Sequence, residues 1–396
     1  MQLIIHASAP WATFHRRPLI EALAETGGSR VDILVIDRPM DLVVAPIRRR
    51  DALWHWLRDP SSRLVSVREN LRVLRPFLPV HEHLAALLPF LPAWQERLLQ
   101  AQIDRVVPPS GRRVEWIYYP EQQGHLRARE EAFAVYECYD DYAAAPNASP
   151  WHRQHEDRLF QRVDLVITTA QTLWEACRLR HPDVHLVPNG VDYATLAPAQ
   201  EQGPLHPVLA EIPEPRIGFL GYLNSAVDAE LLESLAASRP DWSWVFIGPP
   251  DGADPRALQR IRALPNVHFL GFVPRSQLVP ALRGLRVGII PFKVEGSYHQ
   301  AINPLKLYEY MAAGLPVIST ELPEVVRFAP PVRLASTASA FQEEIGKLLA
   351  DREAWQEARA QGDRLARTEN WNARAEACLA LLDTRLGREP RGMPGR

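Results

Sequence analysis

The feature that most constrains this 396-residue sequence is an alternation, met twice, of short apolar runs with stretches of helical period. Runs at 3–6 and 31–36 flank a helix-like stretch at 18–25. Further runs at 114–119, 132–139, 165–168 and 185–187 alternate with helical stretches at 151–161 and 171–179. Short strands separated by helices point to a parallel sheet covered on both faces. Beyond residue 215 the pattern restarts, with runs at 216–220, 244–247, 267–269, 287–290 and 316–319 and helical stretches such as 228–237 and 276–283. Between 197 and 215 stand five prolines and no sustained period, the composition of a linker. The expected fold is therefore α/β, two Rossmann-like doubly wound domains. Residues 1–197 form the first and 215–370 the second, joined by a linker at 198–214. A C-terminal helix at 371–386 is expected to pack back on the first domain, and 387–396 reads as a disordered tail. The least legible region is 46–100, mostly helical in pattern but broken by Pro60, Pro76, Pro79, Pro89 and Pro92.

Composition removes several classes of function. A formal net charge of -2 and a pI near 6.7 give no global basic field, so no nucleic-acid partner is expected. No window approaches the roughly 18 apolar residues of a spanning helix, and the start MQLIIHAS lacks an export pattern. A cytoplasmic location is expected, with any membrane contact peripheral, on the inner face of the plasma membrane. Cys138, Cys177 and Cys378 are odd in number and far apart, which suggests neither disulfides nor zinc. His81 and His83, or His152 and His155, lack further ligands at a recognised spacing, so no metal and no cofactor is expected.

The segment NPLKLYEYMAAG at 303–314 carries the chemistry. It reads as a helix capped by Asn303, with Pro304 in the first helical position and Gly314 as a left-handed stop. Leu305, Tyr308 and Ala312 share one face, while Lys306 and Glu309 share another. The free N–H groups at such a helix start suit a diphosphate, and Lys306 sits in the first turn. A carboxylate one turn on, here Glu309, can accept hydrogen bonds from ribose hydroxyls. The same spacing also fits a solvated i,i+3 ion pair. Against that, the sequence holds only three lysines, Lys293, Lys306 and Lys347, and two of them lie in or just before this segment.

The extended segment NPLKLYEYMAAGLPVIST resembles the C-terminal signature of GT-B glycosyltransferases related to family GT4. VDLVITTAQTLWEACRLRHPDVHLVPNGVD, PRIGFLGYL and VHFLGFVPRSQLVPALRGLRVGIIPF follow the same order along the chain, and the resemblance covers roughly 118–325. The pieces APWATFHRRPLIEALAE and VYECYDDY are similar to bacterial enzymes of cell-surface polysaccharide synthesis, including teichuronic acid glycosyltransferases. The resemblance implies a GT-B enzyme with its two domains facing a cleft. A nucleotide-sugar donor, UDP-linked by family frequency, would be held by the second domain, and a glycan, lipid-linked or small-molecule acceptor by the first. Glu309 would hold the ribose, Asn303, Pro304, Leu305 and Lys306 would lie near the diphosphate, and Gly221 and Tyr222 would follow the first strand. Gly271, Phe272 and Val273 would lie at the base, and Asn189, Gly190 and Asp192 would shape the cleft.

Two departures stand out. Many retaining members carry a second glutamate eight positions before the ribose glutamate, where this sequence has Ala301. The loop after Gly221 reads Tyr222, Leu223, Asn224, Ser225, without the usual basic pair, so Lys306 and Lys293 are candidates to replace that charge. Retention or inversion therefore stays open. Asp140 and Asp141, after the run at 132–139, are the candidates for a base, and they also fit a cap on the next element. His15 and Arg16, in the first βα loop, are acceptor-side candidates. The arginine-rich stretch 48–75, with Trp54 and Trp56, fits either membrane contact or an ordinary surface. A nonhydrolysing sugar-nucleotide epimerase and a catalytically inactive GT-B binding protein are the alternatives.

Overall fold

The computed structural model describes residues 1–41, 50–80, 91–107, 112–128, 132–146, 148–250, 252 and 254–387. The tail expected to be disordered falls almost wholly outside the described residues, as do 46–49 and 81–90 of the region that was hardest to read.

The first domain is built on eight strands in the order β3-β4-β2-β1-β5-β6-β7-β8. They are β1 (Gln2–His6), β2 (Asp32–Ile36), β3 (Leu64–Arg68), β4 (Leu71–Leu74), β5 (Arg113–Ile117), β6 (Phe133–Cys138), β7 (Leu165–Thr168) and β8 (Val184–Leu186). All pairings are parallel except β3 with β4. Helices α1 (Arg17–Gly27), α2 (Arg50–Arg58), α3 (Leu91–Val106), α4 (His152–Phe160) and α5 (Gln171–Cys177) provide the crossovers and cover the faces. The β3–β4 hairpin lies in the stretch whose pattern reads as helical. Its strand signals are the alternation of Val65 and Val67 with Ser66 and Arg68 on the edge strand and the short run Leu71, Val73, Leu74, both submerged among arginines.

The second domain carries six parallel strands in the order β11-β10-β9-β12-β13-β14. These are β9 (Arg216–Leu220), β10 (Ser243–Ile247), β11 (Val267–Gly271), β12 (Val287–Ile290), β13 (Val317–Ser319) and β14 (Val332–Leu334). Around them lie α6 (Ala229–Ser238), α7 (Pro255–Arg262), α8 (Arg275–Arg283), α9 (Leu305–Ala312), α10 (Ala338–Ala350) and α11 (Arg352–Thr368). Asp228, Asp254, Thr337 and Asp351 cap four of these helices with side-chain oxygens.

Helix α12 (Trp371–Leu386) leaves the second domain and packs on the first, where Trp371, Ala375, Cys378, Leu379 and Leu382 share a core with Leu19 and Leu23 of α1. Arg385 fixes its far end through Asp183 at 2.7 and 2.9 Å. At its start, the Val191 N–H donates to the Glu369 carbonyl and the Val191 carbonyl accepts from Trp371, and a Cβ on Gly190 would lie 2.9 Å from the Asn370 backbone. That close approach explains the glycine of the PNGVD turn. The linker is tied down as well, because Arg283 donates to the carbonyls of Pro198, Glu201 and Pro204. Parallel pairing puts the carboxyl ends of each sheet on one edge. The two edges meet where Asn303 reaches Thr169 and Thr172 reaches Gln300.

Candidate active site

Helix α9 begins at the carboxyl edge of the second sheet. Asn303 does not cap it: Pro304 occupies the cap position, without a side-chain hydrogen bond to the first turn. Asn303 is instead a buried bridge between the domains. Its amide donates to the Thr169 carbonyl at 2.7 Å, its side-chain oxygen accepts from Tyr308 at 2.9 Å, and its own carbonyl accepts from Asn189 at 2.7 Å. Leu305 packs towards the core of the first domain. Gly314 does adopt the left-handed conformation, with φ of 71°.

Lys306 is buried rather than solvated, which removes the ion-pair reading of its spacing with Glu309. Its ammonium lies 4.1 Å from the ring centroids of both Phe219 and Phe292, and a Cβ on Gly221 would stand 3.5 Å from Nζ. Among the described residues no carboxylate forms an ion pair with it. Burial lowers its pKa to about 7, against a smaller opposing effect of Glu309. Glu309, one turn on and half-buried, has its pKa raised by burial, with Lys306 and Arg275 acting in the opposite direction. Arg275, at the start of α8, also crosses to the first domain to meet Asp192 at 2.5 Å.

Three strands of the second sheet end on glycines, the first of them beside Lys306. Gly221, Gly248 and Gly271 follow or end β9, β10 and β11 with φ of 108°, 135° and 68°. Gly248 donates to the Gly271 carbonyl at 2.8 Å, and a Cβ on Gly248 would sit 2.3 Å from the Gly221 oxygen. Backbone alone forms this ledge, which leaves room for a ligand against it. Tyr222 and Phe272 project beside it, 48% and 71% exposed, while Val273 packs on the domain core. Lys293 is exposed beyond β12. Gly248 and Arg275 escaped the sequence reading, although a glycine directly after an apolar run was a usable signal for the first.

Across the cleft the two aspartates part company. Asp141 accepts from the Ala144 N–H at 3.2 Å and closes a turn. Asp140 Oδ1 is buried with no hydrogen-bond partner, and burial raises its pKa to about 7, with the Asp141 charge adding to the rise and the Asp141 N–H opposing it. Tyr298 of the second domain faces it, its phenol pushed up to about 12 by burial and by Asp140. Arg16, by contrast, is 1% exposed and joined to Glu137 and Asn189, with its guanidinium over the Trp371 ring. It is a strut inside the first domain and does not reach the acceptor side. His15 keeps an exposed ring against Tyr139. Ala301 is buried in a first-domain cluster, so no carboxylate stands in its place. Among the described residues no group of three or more His, Cys, Asp or Glu could hold a metal ion.

Two Rossmann-like domains closing on a cleft, with the last helix returned to the first, define the GT-B class of fold. Residues 214–351, most of the second domain, match the family model Glycosyl transferases group 1. A Bacillus subtilis (strain 168) protein, provisionally named teichuronic acid biosynthesis glycosyltransferase TuaH, is 29% identical over 210 residues, 50% of this chain and 52% of that protein. The alignment thus spans about half the length of this curated relative. Sucrose-phosphate synthase from Thermosynechococcus elongatus superposes with a TM-score of 0.72 at 18% identity, covering 98% of this chain and 99% of that one. Anabaena Alr3699/HepE, in complex with UDP-glucose, gives 0.67 at 13% identity over 97% and 100%. At such identities the likeness is one of fold.

Proposed function

We propose that the chain is a metal-independent glycosyltransferase that moves a sugar from a nucleotide-sugar donor, a UDP-sugar in the first instance, to a hydroxyl of its acceptor. The observation that carries this reading is Lys306, a buried ammonium without a carboxylate partner, set between the N-terminus of α9 and the glycine ledge. A diphosphate there would supply the missing counter-charge and take the first-turn N–H groups of α9. Glu309 would accept the ribose hydroxyls, with Phe272 and Val273 beside the base, and Gly221, Tyr222 and Lys293 lining the approach. The UDP-glucose held by the Anabaena protein supports a UDP-sugar as first choice. The group 1 family match and the named relative support transfer over epimerisation.

In the reaction, the acceptor oxygen bonds to the sugar's anomeric carbon while that carbon's bond to the diphosphate breaks. The electron pair leaves with the diphosphate, stabilised by Lys306 and the start of α9. Asp140 would take the acceptor's proton. Exposed Trp54 and Leu57, with Arg58 stacked on Trp54, support peripheral contact with an anionic membrane when the acceptor is lipid-linked.

A thermal-shift panel of UDP, GDP, ADP and dTDP sugars tests the donor site. A ligand at about 100 times its dissociation constant adds about 2.7 kcal/mol of stability, and Glu309→Ala should lose most of that shift. If the variant keeps the full shift, the ribose assignment is wrong. The anomer of the product, read by NMR, settles the proton's destination: an inverted product places it on Asp140, and a retained one on the departing diphosphate.

A further inference from the structure

Beside Asp140 the first domain forms a corner of aromatic rings that donor binding leaves unused. Tyr139, at the end of β6, and His15, in the loop after β1, meet edge to face with centroids 4.5 Å apart and planes at 73°. The Ser8 hydroxyl lies 3.1 Å from the Tyr139 phenol oxygen. The Thr169 hydroxyl donates to the Tyr139 carbonyl at 3.3 Å, and the Thr169 carbonyl receives Asn303, so the corner adjoins the start of α9. Tyr298 enters from the second domain, in the turn Ser297–Gln300 that docks on Thr172. His15 is exposed, and Tyr139 and Tyr298 are half-buried.

The charges around this corner are accounted for. The Arg16 guanidinium is committed to Glu137. Desolvation of the His15 ring where it packs on Phe14 and Tyr139, and then the Arg16 charge, lower its pKa although the residue reaches the surface, so the ring is neutral near pH 7. Among the described residues, the titratable groups that remain are Asp140, Asp141, the phenols and His299, whose ring lies 5.3 Å from that of Tyr298 and whose Nδ1 is taken up by the Glu295 carbonyl. Among these residues an anionic group on a ligand would meet carboxylates with no lysine or arginine free to offset them, whereas an uncharged ring finds two aromatic walls, hydroxyls and one carboxylate.

We propose that this corner is the acceptor seat and that its ligand is an uncharged sugar ring, packed against Tyr139 and His15 and presenting one hydroxyl to Asp140. The assignment rests on the glycosyltransferase reading above, but binding at the seat is measurable without a donor. Saturation-transfer NMR with methyl β-glucoside, methyl β-N-acetylglucosaminide and glucose 6-phosphate supplies the test. The neutral glycosides should receive saturation from the wild type. Tyr139→Leu and His15→Ala should each weaken their binding at least about tenfold, and Tyr139→Phe, which keeps the ring, should change it about threefold or less. Preserved donor-induced thermal shifts in these variants would show that the fold is intact. Tighter binding of glucose 6-phosphate than of the neutral glycosides, no binding of either glycoside, or unchanged binding in Tyr139→Leu would overturn the assignment. Glycoside binding without any shift from the nucleotide-sugar panel would sink the donor reading alone.

Discussion

The two faces of the cleft treat buried charge in opposite ways. In the first domain, Arg16 is enclosed with its partners, Glu137 and Asn189, while Glu137 also accepts the Trp116 indole N–H at 2.9 Å. In the second, Lys306 is enclosed between two phenylalanine rings without a carboxylate in contact. Asp140, although part of the first domain, follows the second pattern, since one of its oxygens is buried and unpartnered and, among the described residues, no cation forms an ion pair with it. A buried charge beside a counter-charge braces the fold, as Arg16 does against Glu137 even with its Nε left unpartnered, whereas one without a counter-charge carries a desolvation cost that a ligand can relieve. By this contrast Arg16 braces the first domain, and Lys306 and Asp140 are the charges left for a ligand to meet.

The sharpest way to break the contrast is Arg16→Met. Removing one partner of a buried pair costs about 3–5 kcal/mol, because the other charge stays buried. Chemical denaturation should show a loss of that size, while the donor-induced thermal shift of the folded fraction persists. A loss below about 1 kcal/mol together with weakened acceptor binding would return Arg16 to the acceptor side.

Next in size is Asp140→Asn. General base catalysis contributes typically about 10²–10⁴-fold, so kcat should fall within that range while donor affinity holds. Asp140 must be ionised to accept a proton, and its pKa stands near 7. The wild-type rate should therefore rise with pH through about 7 and then level off, and the variant should lack that limb. The neighbouring phenols of Tyr139 and Tyr298 are both shifted upwards, so neither titrates in this window. An unchanged pH profile in Asp140→Asn would remove it from the proton path.

The proposed donor side was legible in part, because one continuous segment carries Lys306 and Glu309, while Phe219, Phe292, Gly221 and Arg275 come to them from other elements. Helical period, a rare lysine, a glutamate three residues on and a terminal glycine all fall within residues 303–314. What sequence alone misjudged there was the role of Asn303, since its partners Thr169 and Asn189 lie 134 and 114 residues away. The acceptor side was less legible for the same reason. Ser8, His15, Tyr139 and Tyr298 meet only through sheet order and domain docking, and nothing local in the sequence separates Asp140 from Asp141. Strand β3 was missed because edge strands need only a few apolar residues, and β4, although inside the sheet, is only four residues long and follows an arginine-rich stretch. The strands of both sheet interiors, buried on each face, announced themselves as continuous apolar runs.

The smallest expected effect concerns the protonation of Lys306. In the unliganded fold its pKa is near 7, below the ordinary value of the unfolded chain, so between these two values the unfolded chain binds more protons. Stability without ligand should therefore rise as pH increases above about 7, and Lys306→Met should flatten that dependence. Binding a diphosphate works in the other direction, because its charge raises the lysine's pKa and draws a proton onto it. The affinity of wild type for a nucleotide sugar should then be level below pH 7 and fall up to about tenfold per pH unit above it, or 1.4 kcal/mol. Calorimetry in buffers of different ionisation enthalpy should register proton uptake near pH 8, and Lys306→Met should bind weakly at every pH without uptake. Wild-type binding at pH 8 with no proton uptake would mean that the diphosphate lies away from Lys306. The contrast between the two faces of the cleft would then rest on Asp140 alone.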